Sequence, residues 1–243
     1  MISIVIPFYN EEKRLESGKV LDIAIKKLVS EFKTKLEFIL VDDGSKDNTV
    51  KLLEKIKKKN RKTLIEIINY KPNKGKGFAV KCGVLKSKGS KIIIMDADFS
   101  IDLRETKTFV KQLNKFDIVI GTKKHFLTQT MKKQSQPRRI LGKCFTLVTN
   151  MMLGLNYTDI TCGFKGFKSP VGKKLFGMQS INRWAFDSEI LFIAKKLCYT
   201  TKELPVVWKH VDGSSISPLK DTWRSFRDLV RILLNNFFGK YDK

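Results

Sequence analysis

Four short apolar runs, separated by segments with helical periodicity, constrain the fold of this 243-residue chain more than any other feature. The runs cover residues 2–6, 36–41, 64–68 and 91–95. Between them, apolar residues recur at helical spacing, as Leu21, Ile25 and Leu28 do after the first run. Strands that alternate with helices and are apolar almost throughout predict an α/β fold, with a mostly parallel central sheet and helices on both faces.

The second half of the chain is less regular. Its sequence predicts short strands at 117–120 and 203–208, a basic loop at 123–143, and helices at 141–155, 184–197 and 219–238. Neither an internal repeat nor a linker rich in Pro, Gly or Ser interrupts it. A length of this order suits one domain with a substantial core, and we expect a single domain over residues 1–243.

The charge is strongly basic, with 48 Lys and Arg against 24 Asp and Glu, a formal net charge of +24. Such an excess favours polyanionic partners, although a general lysine bias on solvated faces explains it equally well. A nucleic-acid-binding protein would interleave stacking aromatics with its basic residues. The lysines of segment 51–62 stand without aromatics, so we expect no nucleic acid as a partner.

The cysteines and the apolar runs bear on the cellular location. Cys82, Cys144, Cys162 and Cys198 lack the spacing of a zinc site or a disulfide framework, and they predict buried thiols in a reducing, cytoplasmic setting. The first residues predict a strand and not a signal peptide. No apolar run approaches the roughly 20 residues of a membrane-spanning helix, so any membrane contact is expected to be peripheral.

An acidic triplet, Asp96-Ala97-Asp98, follows the fourth apolar run directly. Ligands of open α/β sheets bind at the carboxyl ends of the strands, which is where this triplet falls. Mg2+ and Mn2+ prefer carboxylate oxygens and often share their coordination with phosphate oxygens. Asp96 and Asp98 are therefore candidate ligands of Mg2+ or Mn2+ in a phosphate-binding site.

Polar clusters also follow the first three runs. Asp42 and Asp43 end the second strand, and their carboxylates can accept hydrogen bonds from a base and a ribose or can cap the next helix. Glu11, after the first strand, has the same two interpretations. The segment 74–77, which includes Lys76, predicts either a phosphate cradle or a helix N-terminus.

Several strings resemble those of a known family. IVIPFYNEE, VDDGSKDNT, NKGKGFAV and MDADFS are similar to family 2 glycosyltransferases of the GT-A fold. DITCGFKGF, NRWAFDSEIL and VVWKHVDGSSISPL resemble the polyprenyl-phosphate branch, and most of all the dolichyl-phosphate β-glucosyltransferases. The resemblance extends over nearly the whole chain.

The resemblance implies a substrate pair and a metal. It implies inverting transfer of glucose from UDP-glucose to dolichyl phosphate with Mg2+ or Mn2+. The alternatives are mannose transfer from GDP-mannose and transfer of another sugar to a lipid phosphate. Under it, residues 1–122 form the nucleotide-sugar-binding half, 123–218 the acceptor side and 219–243 a terminal amphipathic helix.

The same resemblance assigns roles to individual residues. It implies a nucleoside pocket of Pro7, Tyr9, Glu11 and Asp42. It implies donor contacts from Asp96, Ala97, Lys123 and Arg138. It also implies catalytic roles for Asp98, Arg139 and Asp159. The alternative interpretation of Asp159 is a turn residue before a strand. Two positions depart from the family pattern. Ser100 stands where the mannose-transferring relatives often have Gln, and Ser215 stands where both branches usually have Lys.

Two helical segments carry apolar faces suited to an anionic membrane surface. The stronger is 223–238, where Arg224, Arg227 and Arg231 flank the apolar residues. Segment 145–153, rich in Met and Leu, is the second. Packing on the core explains both patterns equally well.

Overall fold

The computed structural model describes residues 1–18, 20–123, 130–132, 136–209 and 218–242, with the side chains of 17–18, 130–132, 136–139 and 218–222 left out. The strands are β1 (Ile2–Phe8), β2 (Leu36–Asp42), β3 (Leu64–Asn69), β4 (Lys91–Ile94), β5 (Ile118–Thr122), β6 (Thr130–Lys132), β7 (Lys165–Lys168), β8 (Thr201–Pro205) and β9 (Trp208–Lys209). The helices are α1 (Glu12–Gly18), α2 (Val20–Glu31), α3 (Thr49–Lys59), α4 (Lys76–Lys86), α5 (Glu105–Gln112), α6 (Gln136–Leu153), α7 (Ser169–Met178), α8 (Phe186–Lys196) and α9 (Pro218–Phe237).

A seven-stranded sheet has the order β3-β2-β1-β4-β7-β5-β8. The neighbouring pairs β3/β2, β2/β1, β1/β4 and β5/β8 are parallel, whereas β7 runs antiparallel to both β4 and β5. The predicted α/β fold with a mostly parallel sheet is confirmed. Because strands from both predicted halves share this sheet, the topology supports our proposal of one catalytic domain.

Both faces of the sheet are buried. Val5 and Ile39 point into a core shared with α4, α7 and α8, while their neighbours Ile4 and Phe38 point into a second core. Successive side chains of a strand alternate between faces. Each strand therefore needs apolar residues on both sides, which explains the continuous apolar runs of the sequence.

The second half departs from its prediction at three places. Helix α6 begins at Gln136, inside the predicted loop 123–143, where Pro137 suits the first turn of a helix. The predicted strand 203–208 divides into β8 and β9. Strand β7, which the sequence did not predict, pairs with two strands through only four residues, too few for a recognisable period.

The prediction that the cysteines are buried holds only in part. Cys162 is buried and Cys82 is half-buried, but Cys144 on α6 and Cys198 after α8 are exposed, so the prediction was wrong for these two. Cys198 adopts a positive φ of 56° in the turn that ends α8, where the side chain faces outward. Their exposure comes from a tertiary arrangement that their spacing does not encode.

The residues after α9 are fastened to α8. Tyr241 is fully buried, and its hydroxyl donates a 2.6 Å hydrogen bond to Glu189, itself fully buried. Glu189 also accepts hydrogen bonds from the backbone amides of Ser180 and Ile181. This carboxylate joins α9 to the loop that precedes α8.

We predict that Tyr241→Phe lowers the free energy of unfolding by about 1–3 kcal/mol, because a buried carboxylate loses a hydrogen-bond donor. Urea denaturation measures the change. Lys240→Ala, one residue away and exposed, is the control and should change stability by less than about 0.5 kcal/mol. Equal effects of the two substitutions would contradict the role of Glu189 as the fastening point.

Candidate functional site

The carboxyl ends of β1, β2 and β4 lie side by side. In the register of the sheet, Phe8 pairs with Asp42 and Val5 pairs with Ile94. Two backbone hydrogen bonds extend this pairing beyond the strands, from Asp43 to Phe8 and from Met95 to Val5. The three polar clusters of the sequence therefore meet at one edge, as predicted.

Asp96 forms an ion pair at this edge. Its Oδ1 lies 2.6 Å from the Nζ of Lys76, the first residue of α4. Partial burial alone would raise the pKa of Asp96, but the ammonium groups of Lys76, Lys123 and Lys165 outweigh it and hold the pKa below its ordinary value. Burial alone would lower the pKa of Lys76, but Asp96, Asp187 and Asp98 together outweigh it and raise the pKa.

Asp98 opens onto a cleft. Its Oδ1 accepts a 3.0 Å hydrogen bond from the backbone amide of Ser100, and Phe99 between them has a positive φ of 47°. A bulky residue rarely adopts this conformation, so the turn is held by its surroundings. The residues that line the cleft are Met95, Asp96, Asp98, Phe99, Ser100, Ile101, Leu103, Lys123, Gly163 and Phe164.

The end of β1 adds a third carboxylate near the cleft. Burial raises the pKa of Glu11, Arg14 at 3.3 Å partly offsets this, and the negative charges of Asp98, Asp47 and Asp96 raise it further. Pro7 and Tyr9 are partly exposed beside it, whereas Ala97 is buried. Glu11 does not cap α1 with its side chain, which pairs with Arg14.

Asp42 and Asp43 are both buried, and both carboxylates accept hydrogen bonds from groups of the protein itself. Asp42 accepts hydrogen bonds from the amide and hydroxyl of Ser45. Asp43 accepts hydrogen bonds from Tyr70 at 2.9 Å and from the amides of Lys74 and Gly75. Asp43 therefore fastens the loop before α4, and the role of Asp42 in a nucleoside pocket stays a prediction.

This engagement of Asp43 bears on the predicted phosphate cradle. The amides of Lys74 and Gly75 already donate to Asp43, and the amide of Phe78 donates to the carbonyl of Asn182. Segment 74–77 leads into α4, which fits its alternative interpretation as a helix N-terminus. What it presents to the acidic edge is the side chain of Lys76.

Asp159 and Lys123 form a second charged pair beside the cleft. Asp159 is fully buried and accepts hydrogen bonds from the amide of Lys123 and the hydroxyl of Thr161, both at 3.1 Å. Lys123 Nζ lies 4.0 Å from Asp159 and 5.9 Å from the ring centre of Trp208. Burial would lower the pKa of Lys123, but Asp159, Cys162, Asp96 and Asp98 together outweigh it and raise the pKa.

Sequence reasoning missed one charged pair. Lys165 of β7 and Asp187 of α8 are both buried, with Nζ and Oδ1 2.7 Å apart. Burial raises the pKa of Asp187, while the Lys165 and Lys76 ammonium groups lower it in part. The signal lay in the strings TCGFK and FDSE, since ionisable residues within otherwise apolar segments are buried only when they are paired.

Gly163 was missed as well. A Cβ atom at this position would overlap the carboxylate of Asp96. The absence of a side chain at residue 163 therefore makes room for Asp96 in its observed position.

Three predicted residues lie where the structure describes no side chain. Arg138 and Arg139 fall in the first turn of α6, and their side chains lie outside the described residues. Ser215 falls in segment 210–217, also outside them. Their roles stay predictions.

The acidic edge suits a divalent ion that shares its coordination with a ligand. Within the described ranges, no group of three His, Cys, Asp or Glu side chains could hold a metal ion by itself. Mg2+ sites commonly use one or two carboxylates and complete their shell with phosphate oxygens and water. Asp96 and Asp98, both partly exposed at the cleft, match that donor set.

We predict that Gly163→Ala weakens Mn2+ binding about tenfold or more, because the added methyl group displaces the Asp96 carboxylate and loses one ligand. Electron paramagnetic resonance titration of free Mn2+ measures it. Gly177→Ala on α7 is the matched control, since its Cβ meets nothing within 4 Å. Unchanged Mn2+ binding by Gly163→Ala would remove Asp96 from the metal site.

Two curated relatives match the chain over almost its full length. A dolichyl-phosphate beta-glucosyltransferase of Dictyostelium discoideum is 35% identical over 248 residues, covering 98% of this chain and 75% of the relative. The human dolichyl-phosphate beta-glucosyltransferase is 31% identical over 251 residues, covering 99% of this chain and 77% of the relative.

A solved structure and a family profile complete the comparison. Glucosyl-3-phosphoglycerate synthase from Mycobacterium tuberculosis, solved with Mn2+, uridine diphosphate and glucosyl-3-phosphoglycerate, has a TM-score of 0.63. At 17% identity, with 97% of this chain and 79% of that chain covered, the likeness concerns the fold alone. Residues 3–176 match the profile of glycosyl transferase family 2. With the GT-A sheet and its acidic edge, this match shows that the chain belongs to glycosyl transferase family 2 and is a glycosyltransferase.

Proposed function

We propose that this protein transfers glucose from UDP-glucose to dolichyl phosphate, with inversion at the anomeric carbon and a divalent metal ion, Mg2+ or Mn2+. The observation that carries the proposal is the placement of Asp96 and Asp98 at one cleft with Lys76 and Lys123. Relatives 31–35% identical are named for this reaction, which supports the choice of glucose and dolichyl phosphate.

The charged groups of the cleft suit a nucleoside diphosphate. Lys76 and Lys123 would supply ammonium groups for the phosphates, and Asp96 and Asp98 are the residues that would hold the metal ion. When bound, the ion stabilises the negative charge that develops on the departing diphosphate. Glu11, Tyr9, Pro7 and Asp42 form the side of the edge at which we place the nucleoside.

The acceptor needs little help from a base. A phosphate monoester oxygen is already anionic near neutral pH, so it can attack the anomeric carbon without first losing a proton. Alignment of the two substrates is then the main requirement. Asp159, buried and bonded to the Lys123 amide, suits an orienting role for Lys123 better than that of a proton acceptor.

A donor panel tests the proposal. Purified protein is incubated with dolichyl phosphate and labelled UDP-glucose, UDP-N-acetylglucosamine or GDP-mannose, with Mg2+, Mn2+ or EDTA. We expect glucosylated lipid only from UDP-glucose and only with metal. Transfer from GDP-mannose instead would replace the donor assignment with the alternative, and transfer in EDTA would remove the metal.

We predict that Asp98→Asn lowers turnover at least about a hundredfold, because an amide oxygen is a far poorer ligand for a hard divalent ion than a carboxylate. The unfolding midpoint should change little, since Asp98 is partly exposed. The initial rate of lipid glucosylation measures the change. Asp102→Asn is the matched control, because its carboxylate pairs with Arg104 on the surface.

A lipid acceptor calls for a membrane-facing surface, which we place on α6 and α9. These helices contact each other through Phe145 and Phe226, whose ring centres lie 5.9 Å apart. Both carry exposed apolar side chains, which are Ile140, Leu147 and Met151 on α6 and Trp223, Val230, Leu234 and Phe237 on α9, with Phe238 directly after it.

Charge and burial on α9 fit an interfacial helix. Arg224, Arg227 and Arg231 are exposed, whereas Leu229 and Ile232 are fully buried against the core. One face of α9 therefore packs on the core, and the opposite, exposed face is the one that we propose to contact lipid. Among the described residues, no helix has the length and apolarity that crossing a membrane requires. We propose peripheral association with anionic lipid; the cytoplasmic location stays a prediction.

We predict that Phe237→Ser with Phe238→Ser weakens binding to vesicles of phosphatidylserine and phosphatidylcholine about tenfold or more, because two apolar rings no longer enter the lipid. Flotation of vesicles at low and moderate salt measures the bound fraction. Ile23→Ser, an exposed apolar residue of α2, is the control. Absence of wild-type binding to anionic vesicles would contradict the membrane surface.

A further inference from the structure

The Lys76 ammonium contacts a carboxylate oxygen of Asp96, a residue that we propose as a ligand of the divalent ion. Its Nζ lies 2.6 Å from Asp96 Oδ1, and the ring centre of Trp184 lies 5.6 Å from the same Nζ. The Lys76 side chain is only 19% exposed, so the ammonium is held between these groups. Asp96 is thus paired with a cation of the protein itself.

Among the described residues, the carboxylates of Asp96, Asp187 and Asp98 attract the Lys76 ammonium, and that of Asp96 is in direct contact with it. Asp187 also faces the Lys76 ammonium, but it is buried with Lys165 at 2.7 Å. Asp159 is likewise beside Lys123. A Lys76 ammonium that leaves Asp96 loses its direct contact with a carboxylate, and a diphosphate in the cleft would replace that contact.

We propose that Lys76 gates the metal site, so that the divalent ion binds weakly until a nucleoside diphosphate withdraws the ammonium from Asp96. The inference rests on the proposed function and deepens it by making metal and donor bind together. With the ion alone, two cations compete for one carboxylate and repel each other. With both ligands, the Lys76 ammonium would contact a phosphate oxygen, and the Asp96 carboxylate would be available to the ion.

Thermodynamic linkage makes the gate measurable. If a nucleoside diphosphate strengthens Mn2+ binding by some factor, Mn2+ strengthens binding of the nucleoside diphosphate by the same factor. Removing the Lys76 charge should tighten Mn2+ binding in the absence of nucleotide and weaken nucleotide binding. A merely structural role of Lys76 would weaken both, so the opposite signs distinguish a positioning residue from a support of the fold.

The experiment uses Mn2+ and UDP as probes, without turnover. Mn2+ is titrated by electron paramagnetic resonance with and without UDP, and UDP is titrated by calorimetry with and without Mn2+. The variants are Lys76→Met, which keeps a long apolar stem, and Lys76→Gln, which keeps a hydrogen-bond donor. Lys86→Met is the matched control, because this lysine ends the same helix and is largely exposed.

For wild type and Lys86→Met we expect UDP to tighten Mn2+ binding about tenfold or more. For Lys76→Met and Lys76→Gln we expect Mn2+ alone to bind about tenfold more tightly than to wild type, and the UDP effect to shrink toward onefold. Wild-type-like coupling in both folded Lys76 variants, or weaker Mn2+ binding in both, would overturn the gate and leave the donor site standing. Absence of Mn2+ binding to wild type even with UDP would overturn the proposed metal site itself, and the gate with it.

Discussion

The position of β1 between β2 and β4 is the constraint on which the site depends. β1 is hydrogen-bonded in parallel to both neighbours, so the chain leaves all three strands at the same edge. Glu11, Asp42 and Asp96 come from parts of the sequence far apart, yet this pairing sets them side by side. A slip of one residue in either pairing would move the side chains of one core into the other, and the packing of the two cores opposes this exchange.

Bringing several carboxylates to one edge creates a repulsion that the fold must offset. It does so with lysines from other elements, Lys76 from α4, Lys123 after β5 and Lys165 from β7. The same arrangement suits the proposed ligands, because lysines attract a negatively charged diphosphate and carboxylates attract a positively charged divalent ion. The lysines that offset this repulsion include Lys76 and Lys123, the two that we propose for the diphosphate.

Much of the sheet could be predicted because its strands are buried on both faces, which leaves an apolar run that is visible in the sequence. The convergence of polar clusters followed from the rule that parallel strands end at one edge. Strand β7 could not be predicted in the same way, since its four residues include two lysines. Lys165 in particular reads as a surface residue until its buried partner Asp187 is known.

The sequence by itself determined the parallel α/β architecture and the acidic edge, because both follow from short-range patterns and the geometry of parallel strands. Its motifs also indicated the glycosyltransferase family that the comparisons confirm. Only the tertiary structure decided which carboxylates line the cleft and which are hydrogen-bonded or ion-paired to other groups of the protein. Asp43 and Asp96 both follow a strand. Asp43 is hydrogen-bonded to the loop before α4, whereas Asp96 lines the cleft and pairs with Lys76. Partners from distant segments make that difference, and no local spacing records them.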